Sequence, residues 1–349
     1  MFWLEVSFMR RTLLLLLLIL FASTARSLRA DGCTTQSAMP VTVRDGIASA
    51  ALGLAQKVES SAIAQIRAQT IPQYATDFGG IESAVRTASP HLAGAKFTVE
   101  SVWLLDASNL KTSADGVLQD GQFFCTLNRS AAQVSFLIPA LPAGRYAFAL
   151  VNAASSSPWQ MAFILQEIAG AWRLAGFFPR ATTAAGHDGL WYWRAAREFA
   201  VKKQSMNAWI YFQQASLLLR PVSFFSSNHL DQLNDEMARA APSALSQGVS
   251  NDAPLALKGV NGADLRITSI ATDDSLGTQP IDLALHFRVD AALDATAGRA
   301  RNREAAIGFV HAYPEVREAF HGIWILADAS SQAGNVAPFA SEEPMSNLQ

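Results

Sequence analysis

The sequence is short of charge and of cysteine, and it has no strong excess of either sign. Of its 349 residues only 16% are charged, with 27 Lys+Arg against 29 Asp+Glu for a formal −2. Soluble domains usually carry about 25% charged residues, so a chain this poor in charge and half hydrophobic has ample apolar mass for a core. Disorder throughout is excluded. Without a basic excess to neutralise phosphates, a nucleic-acid surface is excluded too. The HExxH, CxxC, GxSxG, Walker A and GxGxxG patterns are all missing. No catalytic residue, metal site or cofactor is therefore expected, and the balance leans away from an enzyme.

One uninterrupted apolar run is present. Arg10 and Arg11 precede residues 13–22, and Ser23, Thr24 and Ala25 follow. A basic start, a short apolar stretch and small residues at −3 and −1 form the pattern of a secretory signal peptide at 1–25, with Ala30 as a later cleavage point. The run is too short to span a bilayer, which needs about 20 apolar residues. Met9, directly before Arg10, competes with Met1 as the start. An uncleaved anchor is the rival reading, because residues 2–8 are also fairly apolar. A lipoprotein fits poorly, since Asp31 stands two residues before Cys33. The expected product is secreted or periplasmic, with no membrane span in the mature chain. Cys33 and Cys125 either pair there as a disulfide, or Cys125 sits as a buried strand thiol.

At about 100–200 residues per domain, the length fits two folded units or one with a large appendage. After a mature N-terminal segment (26–43), an α+β domain is expected at 44–183. Ile47, Ala51, Leu54, Val58, Ala62 and Ile66 recur at helical spacing over residues 44–67. A second helix at 81–88 should end before Pro90. Strand-like runs follow at 97–105, 122–127, 133–138, 145–151, 160–168 and 172–178, the last two joined tightly at Ala169-Gly170. Helices followed by antiparallel strands give an α+β fold, with N-terminal helices packed on an antiparallel sheet. Residues 186–241 turn helical, 242–262 read as a linker, and 263–329 form a smaller β-β-α-β piece. The polar end, 330–349, is expected to be disordered.

Three local resemblances appear. Residues 161–165 and 170–177, with Trp172 after the turn, resemble the closing hairpin of the nuclear-transport-factor-like α+β cone. That resemblance implies a Trp packed on the sheet and a concave face able to hold a small ligand. The family's Asp–His dyad has no counterpart, because His91 is the one histidine before His187. Residues 141–146 resemble the turn and strand of transthyretin-like sandwiches, against which the leading helices argue. Tyr192, Ala195, Ala196 and Phe199, then Ala208, Phe212 and Ala215, resemble one tetratricopeptide hairpin, whose repeat is about 34 residues. One period away stand Pro158 and Ser226, so no second copy follows. A lone repeat must bury its face elsewhere, here on the preceding sheet.

The candidate binding residues are His187, Asp188, Trp191, Trp193, Arg194 and Arg197. Asp188 is placed to cap the helix that carries Trp191, Tyr192 and Trp193. Three consecutive aromatics cannot share one face, so at least one should reach a boundary, and His187 and Asp188 beside that aromatic wall could hold a sugar, peptide or metal. The opposing reading makes Asp188 a cap and the tryptophans packing groups. Ser108 and Lys111 form an SxxK without its partner motifs. Asp273-Asp274 reads as a turn. His311 and His321 read as boundary or core histidines.

Two functions follow. The first is a non-catalytic binding or scaffold protein of the cell envelope, presenting its aromatic hairpin to a protein or peptide. The second is a small-molecule binder or enzyme whose site lies in the concave face of 44–183. It expects Asp77, Arg145 or Gln166 to point into a cavity, and it fails in that form if Phe136, Phe148, Phe163 and Leu165 fill the sheet.

Overall fold

A computed structural model describes residues 32–112, 115–259, 262–290, 293–329 and 339–348. The signal-peptide segment lies outside these described residues. An antiparallel sheet in the order β1-β2-β5-β6-β7 organises the first half: Gly32–Thr35, Lys96–Asp106, Arg145–Ala154, Trp159–Ile168 and Ala171–Ala181. Its central strands are buried on both faces, as their unbroken apolar runs require. Ala169 and Gly170 both take positive φ, the geometry of a tight hairpin turn between β6 and β7.

Helices α1 (Val41–Glu59), α2 (Ile63–Ala68), α3 (Pro72–Thr76) and α4 (Gly79–Leu92) lie on the N-terminal side. α1 and α4 cover one face of the sheet, enclosing Val102, Ala149, Phe163 and Leu165. The long helix expected over 44–67 is broken at Ser60–Ala62, where Ser61 turns to φ +51°. The Ser60 hydroxyl donates to the Gln56 carbonyl at 3.1 Å, so the serine pair competes with the helix for its own backbone. α4 runs through Pro90 rather than stopping before it, with Leu92 buried and Ser89 bonded to Ser61 at 2.7 Å. Trp172 lies beside Gly46 of α1, within 3.7 Å of the space a Cβ there would occupy.

The opposite face meets a second, three-stranded sheet, β10-β4-β3 (Phe225–Ser227, Gln133–Ile138, Gly121–Thr126), and a helical hairpin. β8 (Thr183–Ala184) and β9 (His187–Asp188) form a small ladder leading into the hairpin. The hairpin itself is α5 (Gly189–Val201) and α6 (Ser205–Leu219), with α7 (Asn228–Ala240) packed on α6. Ala196 and Ala208 are fully buried, as close helix packing demands. Gly189 is equally constrained, for a Cβ there would fall 2.6 Å from Leu219 Cγ.

The C-terminal piece is a mixed sheet, β11-β12-β13-β14-β15 (Leu255–Lys258, Asp264–Asp273, Asp282–Val289, Gly322–Ala329, Phe339–Pro344). α8 (Ala295–Ala312) and the short α9 (Val316–Ala319) connect the parallel pair β13 and β14. This piece shares one hydrophobic core with the hairpin. Tyr211 Oη donates to the Ala319 carbonyl at 2.8 Å, and Lys202 pairs with Glu318 at 2.6 Å. The linker expected at 242–262 contributes β11 to this sheet.

The expectation of disorder across 330–349 is corrected for residues 339–348. β15 pairs with β14, and Met345 and Leu348 are buried. Buried Asn302 holds it there, its Nδ2 lying 3.2 Å from the Phe339 carbonyl and 3.0 Å from Ser341 Oγ. Composition alone misses such a tether, because its partners lie about 40 residues apart.

Cys33 and Cys125 form a disulfide with Cα atoms 5.6 Å apart, linking edge strand β1 to β3 of the second sheet. No helix among the described residues is long and apolar enough to cross a membrane. Removing the cross-link over its 92-residue separation should destabilise the fold by up to about 4–5 kcal/mol on the chain-entropy model. Urea unfolding of the Cys33→Ser/Cys125→Ser protein should show a lower midpoint than the oxidised chain. Coincident midpoints would contradict that role.

Candidate functional site

Five of the six residues singled out in the sequence are divided between two structural tasks. Asp188 is the N-cap of α5, its Oδ1 accepting from the Trp191 amide at 2.7 Å. The His187 ring stacks on Trp191 at 3.7 Å and 7°. Tyr192, between the two tryptophans, points inward and donates to the Ala184 carbonyl at 3.0 Å. Burial pushes its phenol pKa up.

Trp193 and Arg197 sit one helical turn apart, with the guanidinium 4.7 Å from the indole centroid. Both donate to Glu236 of α7: Trp193 Nε1 at 2.8 Å, and Arg197 Nε and Nη2 at 2.6 and 2.8 Å. Gln232 adds a bond at 3.0 Å. These donors, Arg197 foremost, pull the Glu236 carboxyl down to about 2 against the opposing effect of burial. The cluster joins α5 to α7. Arg194 is exposed and outside it.

The four aromatic and aliphatic side chains named above as fillers are all buried: Phe163 and Leu165 under the helices, Phe136 and Phe148 between the two sheets. This removes an open cone within 44–183. Nor do the expected polar residues point into one. Arg145 pairs with Glu167, Gln166 lies against Gly144, and Asp77 is exposed at the end of α3.

A cleft of about 600 Å³ opens instead where the strand ends meet the hairpin, between β2, β5, β6 and β7 on one side and α5, α6 and α7 on the other. Its apolar walls include Trp103, Leu150, Leu218, Phe225 and Leu230, and Trp193 reaches it from α5. One wall carries a fixed polar row. Gln160, 6% exposed, donates to Glu100 Oε2 at 2.7 Å and to Asn152 Oδ1 at 3.1 Å. Arg180 Nη2 donates to Gln160 Oε1 at 2.8 Å, while Nη1 donates to the Leu218 carbonyl on α6. Burial lowers the Arg180 guanidinium to about 10, opposed by Glu100, and leaves it charged at neutral pH.

Of the sequence-derived candidates, Asp188 and Trp193 line this cleft; Arg180, Gln160 and Glu100 were missed. Gln160 did leave a signal. It shares the alternation of Ala162 and Ile164, so a polar residue stands on an otherwise inward apolar row. Volume, apolar walls and a few fixed polar groups are the ordinary attributes of a small-molecule site.

The chain matches no family model, no curated protein and no solved structure. The cleft must therefore be read from its own chemistry.

The Glu236 seam makes a pH prediction. Because the folded pKa lies below the ordinary 4.5, its stabilisation is present above that value and lost as pH falls toward about 2. Glu236→Gln should cost on the order of 1 kcal/mol at neutral pH and flatten that part of the acid limb. Thermal melts from pH 7 to 2.5 would check it, and identical acid profiles would refute the assignment.

Proposed function

We propose that this chain is a non-catalytic binding protein that works outside the cytosol. It takes a small molecule with an apolar body and a polar end in the cleft between its sheet and its helical hairpin. The observation that carries this reading is the Gln160–Arg180–Glu100 row fixed on the wall of a largely apolar cleft. Arg180 is half-buried, and a guanidinium drawn out of water is costly to desolvate and is retained where it holds geometry or meets a polar partner. The basic and apolar N-terminus and the Cys33–Cys125 pair support an oxidising compartment.

A scaffold role for the hairpin draws less support. His187 and Trp191 stack on each other, Trp193 and Arg197 are bonded to Glu236, and the tetratricopeptide-like pattern stays a single hairpin with its face on the sheet.

An anilinonaphthalene-sulfonate dye has the proposed shape, and Trp103, Trp159 and Trp193 line the cleft as energy-transfer donors. The expected result is saturable one-to-one binding with quenching of tryptophan emission. Arg180→Gln should weaken it roughly 10–100-fold, the worth of a charged hydrogen bond, while Arg180→Lys gives an intermediate loss. Circular dichroism would verify that each variant folds. Dye binding unchanged in both folded variants, or none in the native chain, would refute the cleft as the site.

A further inference from the structure

At one end of the C-terminal sheet, three strands bring two carboxylates and an imidazole together. Asp282 begins β13, His321 immediately precedes β14, and Glu342 lies on β15 opposite Trp324. One ligand-competent atom from each falls within 4.8 Å of the other two. His321 Nδ1 is 3.0 Å from Asp282 Oδ1. Neighbouring ligands on a first-row ion, bound at about 2.0–2.2 Å, stand roughly 3–3.5 Å apart, so this pair already has the spacing of two ligands.

The surroundings point the same way. The Asp282 side chain is 0% exposed, yet its Oδ2 has no hydrogen-bond partner. Glu342 Oε1 is likewise buried and unpartnered. Gly322 lies between them: a Cβ there would fall 2.4 Å from Glu342 Oε1 and 3.3 Å from Asp282 Oδ1, so the glycine leaves the carboxylates room to converge. The charged groups that act on Glu342 are Asp282, His321 and Glu343, with no lysine or arginine among them. Asp282 is buried and Glu342 partly buried beside it, and with His321 bonded to one Asp282 oxygen the remaining oxygen of Asp282 and Oε1 of Glu342 carry a desolvation cost that no donor offsets.

We propose that Asp282, His321 and Glu342 bind one divalent transition-metal ion, of the zinc or manganese class, which fastens strand β15 to the sheet. An imidazole nitrogen with two carboxylate oxygens suits zinc, manganese or ferrous iron better than calcium or magnesium, which prefer oxygen ligands throughout. His321, 43% exposed, faces solvent and gives the ion its way in. The ion neutralises the carboxylates and joins three strands whose last member is a terminal edge.

The test uses the full chain after chelator treatment and dialysis, titrated calorimetrically with zinc chloride and, separately, manganese chloride, with thermal melts in parallel. One ion should bind per chain and raise the melting temperature. Glu342→Gln and His321→Ala should each weaken binding by more than the roughly 10–100-fold that loss of a supporting contact costs. His286→Ala, which removes the other histidine–carboxylate pair of this sheet, should leave it unchanged. Glu342→Gln should leave the metal-free fold as stable or more so, because it removes an uncompensated charge. Hydrogen exchange should show slower exchange across residues 339–344 with metal. No binding of either ion by the native chain, or equal binding in all variants, would overturn the site. A metal-free Glu342→Gln chain less stable than the native one would also overturn it, by showing that the carboxylate is already compensated without an ion.

Discussion

Four aromatic rings hold the layers of this molecule together. Trp103 of β2, Phe148 of β5, Phe136 of β4 and Phe225 of β10 meet pairwise with centroids between 5.1 and 6.2 Å. Each such contact contributes about 0.5–1.5 kcal/mol beyond the area it buries. They matter because the main sheet is apolar on both faces and must be covered twice. The N-terminal helices cover one face. The other is closed by the second sheet and the hairpin, and β10, which leaves the hairpin for that sheet, is fixed to it by Phe225.

The cleft follows from the same constraint. Where the sheet is apolar the layers close on it; toward the strand ends Asn152, Gln160 and Arg180 take over, and the layers part. Arg180 bridges the gap by bonding to the Leu218 carbonyl, so the polar wall and the end of α6 are positioned by one side chain. The C-terminal sheet joins through α6: Asn207 reaches the Glu315 carbonyl at 2.6 Å, and Thr272 bonds to Gln214 at 2.6 Å. The proposed metal cluster lies in that sheet, near the contact of its terminal strand with the rest.

Much of the fold was legible from pattern. The alternating and continuous apolar runs located β2 to β7 to within a few residues, because strand burial is written in the local sequence. The stripe through Ile47, Leu54 and Val58 located α1, although the serines that break it at residue 60 act through a competing local bond. The site was less legible. Trp191 and Trp193 stood out for their size, yet size does not reveal that His187 and Glu236 occupy them. Arg180 carried no local signal, since its partners lie 20 and 38 residues away. Asp282, His321 and Glu342 gave no motif at all, because strand pairing rather than spacing unites them.

By itself, the sequence determined strands β2 to β7 and β12 to β14, the positions of the long helices, which of their faces are apolar, and where the first sheet ends and the hairpin begins. These depend on short-range periodicity and turn chemistry, which neighbouring residues carry. Tertiary structure alone decided that β3 and β4 leave the first sheet to pair with β10, that residues 339–344 become an edge strand, and which polar groups meet in the cleft. Those outcomes depend on contacts between residues far apart in the chain, whose free energy exists only once the layers have closed.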